Sequence, residues 1–326
     1  MKEFLIIVPE GGILFESTGV ADLLQKANQS LNERGLAGMY RINMATTQDH
    51  HVVRGNSGLT LLANSRLSDL DPTQPRDTII VTGRGVVPDE QERIADWIRF
   101  AAPHTRRTAS ICGGALLLAK AGVLNGKSAT THWRLLAEME RDYPNTLVEN
   151  GPMFVQDGTV WTSAGVSAGF DLVLAMIEED CGFHTARDIA QEMVMFLRRP
   201  GDQAQFSRYR LPESAQDGPI REVQRWIQLN LSCDLSIDHL ADRAAMSARN
   251  FSRVFTKQIG ITPAKYIEEM RINAVRDHLE QTSDTIETIA RLTGFQSSLT
   301  LRRTFERHLH ITPSEYRQRF APYTRH

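Results

Sequence analysis

Apolar residues along the 326-residue chain follow two different periods. Up to residue 198, short and nearly unbroken apolar runs alternate with amphipathic stretches. "FLIIV", Phe4 to Val8, precedes "GVADLLQKANQSL"; "DTIIVT" precedes "PDEQERIADWIRFAA", where Pro88 suits a first helical turn. "TASIC" runs into "GGALLLAKAGVL", and "TVWTS" into "AGVSAGFDLVLAMIEEDCG". Continuous apolar strands alternating with helices predict an α/β domain with a mainly parallel sheet sandwiched by helices. Ligands in such sheets bind beyond the carboxyl ends of the strands. Glu16, Gly83 and Cys112 all fall just after predicted strands.

From residue 220 to residue 326 only helical periods remain, which predicts a second, all-α domain. The segment from 199 to 219 between them holds Pro200, Gly201, Pro212, Gly218 and Pro219 among polar residues, and reads as a linker.

The helical domain repeats itself. At an offset of 49, Ile237, Leu240, Ala241 and Met246 match Ile286, Ile289, Ala290 and Phe295. One extra residue moves the offset to 50, where Arg253, Phe255, Ile261, Thr262, Pro263 and Tyr266 meet Arg303, Phe305, Ile311, Thr312, Pro313 and Tyr316, all identities. Two unrelated amphipathic helices would not share R-x-F and I-T-P-x-x-Y at one spacing. Each copy reads as a short helix ending near Ala245 or Gly294, a tight turn, and a second helix starting near Ser247 or Gln296. Ser247 is a good N-cap, and Thr312 with Glu315 forms a capping-box pair. Between the copies a helix from Pro263 to about Glu280 would span about 27 Å, close to the roughly 34 Å between successive major-groove faces of a duplex.

With Phe251, Val254 and Phe255 turned inward, the first copy presents Ser247, Arg249, Asn250, Ser252 and Arg253. With Leu301 and Phe305 inward, the second presents Gln296, Ser298, Leu299, Arg302 and Arg303. Arginine pairs bidentately with guanine or holds phosphate. Arg249 and Arg302 are the candidates for base reading; Arg253 and Arg303, at one repeat position, serve either the fold and phosphate or base reading. The two stretches resemble the DNA-binding domain of AraC/XylS-type transcription regulators. That resemblance implies promoter DNA as a partner and activation through RNA polymerase.

Charge agrees with this division. From Arg221 to His326 there are 16 Lys+Arg against 12 Asp+Glu, while the preceding 220 residues hold 21 against 27. No apolar run approaches the roughly 20 residues that span a membrane. The run Phe4 to Val8, closed by Pro9 and Glu10, reads as a first strand and not as a signal peptide. Three widely spaced cysteines, Cys112, Cys181 and Cys233, fit a reducing cytoplasm better than a disulfide framework or a zinc site. Cys181 and Cys233 read as packing residues. "DHH" at Asp49 to His51 reads as a polar loop, Trp133 and Trp161 as core, and neither metal nor cofactor is expected.

Cys112 carries the candidate chemistry. A cysteine on a sharp strand-to-helix turn is presented to solvent, and the helix N-terminus favours its thiolate. Gly83 and Gly113 offer backbone N–H groups for an oxyanion hole. "FESTGVAD", "IIVTGRG", "SICGGA", "SATTHW" and "TSAGVSAGFDLVLAMIE" resemble the class I glutamine-amidotransferase-like superfamily in its ThiJ/PfpI and isonitrile-hydratase branch. The resemblance implies a flavodoxin-like sheet, an acidic residue beside the thiol, Glu16, that positions an amine or shuttles a proton, and a nitrogen compound, an amino-acid derivative or quaternary amine, as ligand. Its protease branch places His directly after the cysteine; here Gly113 stands there, and His132 lies 20 residues on. The expectation is therefore a non-enzymatic ligand-sensing and dimerising domain whose crevice is lined by Glu16, Gly83, Cys112, Gly113 and His132. Cys112, Glu16 and His132 would be its vestigial catalytic set. A cysteine hydrolase or hydratase fused to a DNA-binding tail, or a merely dimerising domain, are the alternatives.

Overall fold

The computed structural model describes residues 1–83, 88–197, 203, 206 and 218–321. Internal contacts divide the chain into Met1–Arg199 and Pro200–His326. Of the segment read as a linker, all but Gln203, Phe206, Gly218 and Pro219 lies outside the described residues.

The first unit runs β1 (Lys2–Val8), α1 (Leu14–Glu33), β2 (Tyr40–Thr46), β3 (Val52–Arg54), β4 (Thr60–Leu62), β5 (Ser65–Arg66) and β6 (Arg76–Val81). It continues with α2 (Pro88–Ala101), β7 (Thr105–Ile111), α3 (Gly114–Lys120), β8 (Ser128–Ala129), α4 (Leu136–Asp142) and β9 (Leu147–Val148), then β10 (Phe154–Asp157), β11 (Val160–Ser163), α5 (Val166–Cys181) and α6 (Phe183–Glu192). Seven strands form one sheet in the order β10-β11-β7-β6-β1-β2-β5. Every pair in it is parallel except β10 with β11. The α/β expectation holds, and β1 shows why its run is unbroken. Phe4, Ile6 and Val8 enter the core under α1 and α5, while Leu5 and Ile7 enter the core under α2 and α3. A strand buried on both faces has no position left for a polar residue.

At the amino edge of the sheet, Asp180, ending α5, accepts from Lys2, Arg106 and Arg107, and Tyr40 donates its hydroxyl to Asp180 at 3.2 Å. This partly buried network stands at the opposite strand ends from Cys112.

The second unit is helical: α7 (Pro219–Leu229), α8 (Ile237–Arg243), α9 (Ala248–Ile259), α10 (Pro263–Gln281), α11 (Ile286–Leu292), α12 (Ser298–Leu309) and α13 (Pro313–Phe320). Ser236, Ser247, Thr262, Thr285, Ser297 and Thr312 cap α8 to α13, each side chain accepting from the N–H three residues on. Such a cap contributes about 1 kcal/mol. Thr312 and Glu315 form the full capping box. One boundary differs from expectation: α12 is capped by Ser297, which leaves Gln296 in the turn before the helix.

The repeated motifs have a packing role. Phe255 meets Tyr266 edge to face with ring centroids 5.4 Å apart, and Phe305 meets Tyr316 likewise at 5.4 Å. Two separate cores result, and α10 passes through both. Tyr266, Ile267 and Met270 join the first; Ile272, Val275 and Leu279 join the second. Its 19 residues make a connector about 28 Å long.

Candidate functional site

At the end of β7 the chain turns sharply through Cys112, whose φ is 56°. A positive φ in a residue with a Cβ costs roughly 1 kcal/mol and recurs at ligand sites. The turn is held on all sides. Cys112 donates its N–H to the Ser163 carbonyl at 3.1 Å, and its own carbonyl accepts from Thr131 Oγ1 at 2.8 Å. Gly114 is required here because a Cβ would lie 2.2 Å from the Val81 carbonyl oxygen of β6. The thiol is not presented at the surface: Cys112 is 1 % exposed and belongs to a hydrophobic core.

Glu16 sits in the first turn of α1, where the helix dipole favours a carboxylate, and is fully buried. The N–H of Gly83, expected in an oxyanion hole, donates to Glu16 Oε2 at 3.3 Å. Gly113 is buried between β7 and α3. His132 follows β8 half-buried, its Nδ1 accepting from the Arg134 N–H at 3.2 Å and its ring stacked on Trp133 at 5.3 Å. A Cβ at Gly165 would lie 3.4 Å from His132 Cδ2. The structure thus joins Glu16 to Gly83 by a hydrogen bond and brings His132 to the Cys112 turn through its neighbour Thr131. Arg84 to Val87, the rest of "TGRG" and the residues after it, lie outside the described residues.

Sequence reasoning missed Glu90. It is 2 % exposed in the first turn of α2 and accepts from the Glu10 N–H at 3.2 Å, Gln48 Nε2 at 3.2 Å and the Thr47 hydroxyl. It pins the segment between β1 and α1, which delivers Glu16, to the end of β2. The "PDE" start of α2 marked an acidic first turn but not its burial. Two other readings need correction, those of Trp133 and Cys233, while Cys181 packs against the core and residues 49–51 form a loop as expected. Trp133 is half-buried beneath the Arg134 guanidinium, 4.8 Å above its ring, whereas Trp161 is core. Cys233 is exposed, and Cys181 is half-buried with its Sγ 3.3 Å from the Tyr40 hydroxyl. His51 Nδ1 lies 3.0 Å from the Ala63 carbonyl oxygen, and the described residues hold no cluster of three or more His, Cys, Asp or Glu placed for a metal ion.

In the helical unit, Phe251, Phe255, Leu301 and Phe305 are buried as expected. Ser247, Arg249 and Arg253 of the first copy are exposed, with Asn250 and Ser252 half-buried beside them. Arg253 Nη2 donates to Asn250 Oδ1 at 2.9 Å, which joins these two into one polar group. In the second copy Gln296, Leu299, Arg302 and Arg303 are exposed and Ser298 is half-buried. The two turns share a left-handed residue, Ala245 at φ 52° and Gly294 at φ 79°. So do the ends of α9 and α12, Gly260 at φ 82° and His310 at φ 53°. From α10, Arg271 donates to the Leu231 carbonyl at 3.3 and 3.1 Å, and Glu268 meets Arg307 Nη2 and His308 Nε2 of α12 at 2.6 Å each.

Two helix-turn-helix units with matching turns and caps, following an α/β domain in the chain, define the class of a DNA-binding regulator. A helix-turn-helix domain model matches residues 240–319, and the DJ-1/PfpI family model matches residues 2–179. The chain belongs to the DJ-1/PfpI family and carries an AraC-type helix-turn-helix domain behind it, the composition of a transcription regulator. It is 26 % identical over 310 residues to the HTH-type transcriptional regulator GbdR of Pseudomonas aeruginosa, covering 94 % of this chain and 81 % of that protein. It is 31 % identical over 180 residues to the isonitrile hydratase of Pseudomonas putida, covering 53 % of this chain and 72 % of that one. A crystal structure of an AraC family transcriptional regulator from Pseudomonas putida superposes with a TM-score of 0.52 at 19 % identity, over 59 % of this chain and all of that one, a likeness of fold.

Proposed function

We propose that the protein controls transcription by laying α9 and α12 into successive major grooves of promoter DNA, under the control of a small molecule bound beside Cys112 and Glu16. Residues 1–198 would be the sensing and dimerising domain, and residues 220–326 the DNA-binding domain. The observation that carries the reading is the equivalence of α9 and α12: a serine cap on each, apolar residues inward at the same three steps and an exposed arginine at 253 and 303, on one shared connector. Arg249, Arg253, Arg302 and Arg303 supply cationic contacts, with Ser247, Asn250, Ser252, Gln296, Ser298 and Leu299 around them. On a promoter, RNA polymerase is the partner that such a regulator would contact, in the cytoplasm and as a homodimer.

The crevice is read as a binding site without turnover. Cys112 is buried, Gly113 stands where an adjacent base would be, and the Gly83 N–H is engaged by Glu16. A buried carboxylate at a helix N-terminus suits a ligand with a cationic group, since opposite charges attract strongly away from water. An amino-acid derivative or quaternary amine meets that condition, with His132 and Trp133 in the segment after β8 as further candidates to contact it. The ligand shifts the response by the difference between its affinities for the two states of the protein.

Footprinting the full chain on its promoter tests the first part: protection of two successive major grooves on one face of the duplex is expected, and protection of one alone refutes the arrangement. A thermal-shift screen of small amines and amino-acid derivatives, repeated with promoter DNA, tests the second. Regulation that survives in Cys112→Ala, with no turnover of amides or isonitriles, is the expected outcome; turnover lost in that variant refutes the sensing role.

A further inference from the structure

The two recognition helices, α9 and α12, have the same length and correspond residue by residue at an offset of 50. Ser247 and Ser297 cap them, and Phe251 and Leu301, Phe255 and Phe305, Ile259 and Leu309 turn inward at the same three steps. Each residue of α9 therefore occupies the place of the residue 50 positions later in α12. At the second helical position, close to the end of the helix that reaches base edges, α9 presents Arg249 and α12 presents Leu299. Arg249 is exposed. Leu299 is 56 % exposed, among the exposed Gln296, Thr300, Arg302 and Arg303.

A leucine left in water at that place gains nothing for the fold. Against a base pair it has one complement in the major groove, the 5-methyl group of thymine, while an arginine there pairs with the N7 and O6 of guanine. We infer that Leu299 and Arg249 are equivalent specificity-determining residues of opposite chemistry, and that the operator is consequently two unlike half-sites, not a direct repeat. At the same base step, the half-site under α9 carries guanine and the half-site under α12 carries thymine. The inference rests on the DNA-binding reading above and adds the sequence to which it applies. Asn250 and Thr300, Ser252 and Arg302 differ at the neighbouring steps, so the departure from symmetry is not confined to one contact.

The test is selection of duplexes from a randomised pool by the full chain, with Leu299→Arg and Leu299→Ala run beside it. The wild type is expected to enrich two blocks about ten base pairs apart, one with guanine and the other with thymine at the matching step. Leu299→Arg is expected to turn that thymine into guanine by at least about fivefold in preference, leaving the other block alone. Replacing that thymine by uracil removes only the methyl group and should weaken wild-type binding by about fourfold, and Leu299→Ala not at all. Because Leu299 is exposed, both variants should melt with the wild type, which separates a change in reading from a loss of fold. Blocks that stay the same in Leu299→Arg, or a uracil substitution without effect, overturn this inference while DNA binding stands. A wild type that enriches no sequence overturns the DNA-binding proposal, and this inference with it.

Discussion

Gly294→Ala puts a single methyl group into the turn between α11 and α12. That Cβ would lie 2.0 Å from the Leu231 carbonyl oxygen and 2.9 Å from two nitrogens of the Arg271 guanidinium. The backbone at Gly294 has φ 79°, a conformation that costs an alanine about 1 kcal/mol by itself. The carbonyl must then move, and it is the acceptor of both Arg271 hydrogen bonds. Burial already lowers the Arg271 guanidinium pKa below its ordinary value, so its partners matter. Two weakened hydrogen bonds to a charged group add about 1.5 kcal/mol each, for a total of about 4 kcal/mol, a large part of what holds a small domain folded. Urea denaturation of the full chain, followed by hydrogen exchange in the segments α10 to α13, should show the loss there and leave the sheet domain unchanged. Ala245→Gly, at the equivalent turn position with φ 52°, should change stability by about 1 kcal/mol in the other direction. A loss below about 1 kcal/mol in Gly294→Ala, the cost of the backbone alone, would refute the close approach to Leu231.

Four further outcomes are expected. His310→Gly, replacing a left-handed residue where the first copy has Gly260, should stabilise the helical unit by about 1 kcal/mol in thermal or urea unfolding. Gly114→Ala should destabilise the sheet domain in the same assay, since its Cβ would press on the Val81 carbonyl at 2.2 Å. Alkylation followed by mass spectrometry should label Cys233 first and Cys112 last under native conditions, in the order of their exposure. Burial alone would raise the Asp180 carboxyl, but hydrogen bonds and charge from Lys2, Arg107 and Arg106 outweigh it and hold it below its ordinary value. Its contribution is therefore present at neutral pH and is lost as pH falls from the ordinary carboxylate range through the depressed folded value. Stability measured against pH should lose part of that acid limb in Asp180→Asn.

The helical unit was almost wholly legible because its signals are local. A serine or threonine three residues before its backbone partner, and a phenylalanine eleven residues before a tyrosine, can be seen without a fold. The start expected near Gln296 lies one residue later, because it is Ser297 whose side chain accepts the Thr300 N–H and caps α12. The sheet was legible for the same reason at β1, where burial on both faces writes an unbroken apolar run. The crevice was legible only in part. Its residues come from β7, α1, α2 and the segment after β8, and nothing in the sequence near Cys112 says that the thiol is buried. Nor does any local signal say that Gly83 turns its N–H toward Glu16, or that Glu90 is enclosed by residues 42 to 80 positions away.

Because α10 carries side chains of both helical cores, its length acts as a phase setting between α9 and α12, and so between the two proposed DNA contacts. One residue inserted between Met270 and Ile272 would rotate α12 by about 100° relative to α9 and advance it by about 1.5 Å. In the proposed arrangement, the recognition face of the second copy would then turn away from the side of the duplex that the first one contacts, with every side chain of that face chemically intact. Point substitutions at the protein–DNA face can thus be tuned one at a time, whereas a change of length in α10 removes one half of the operator at a stroke.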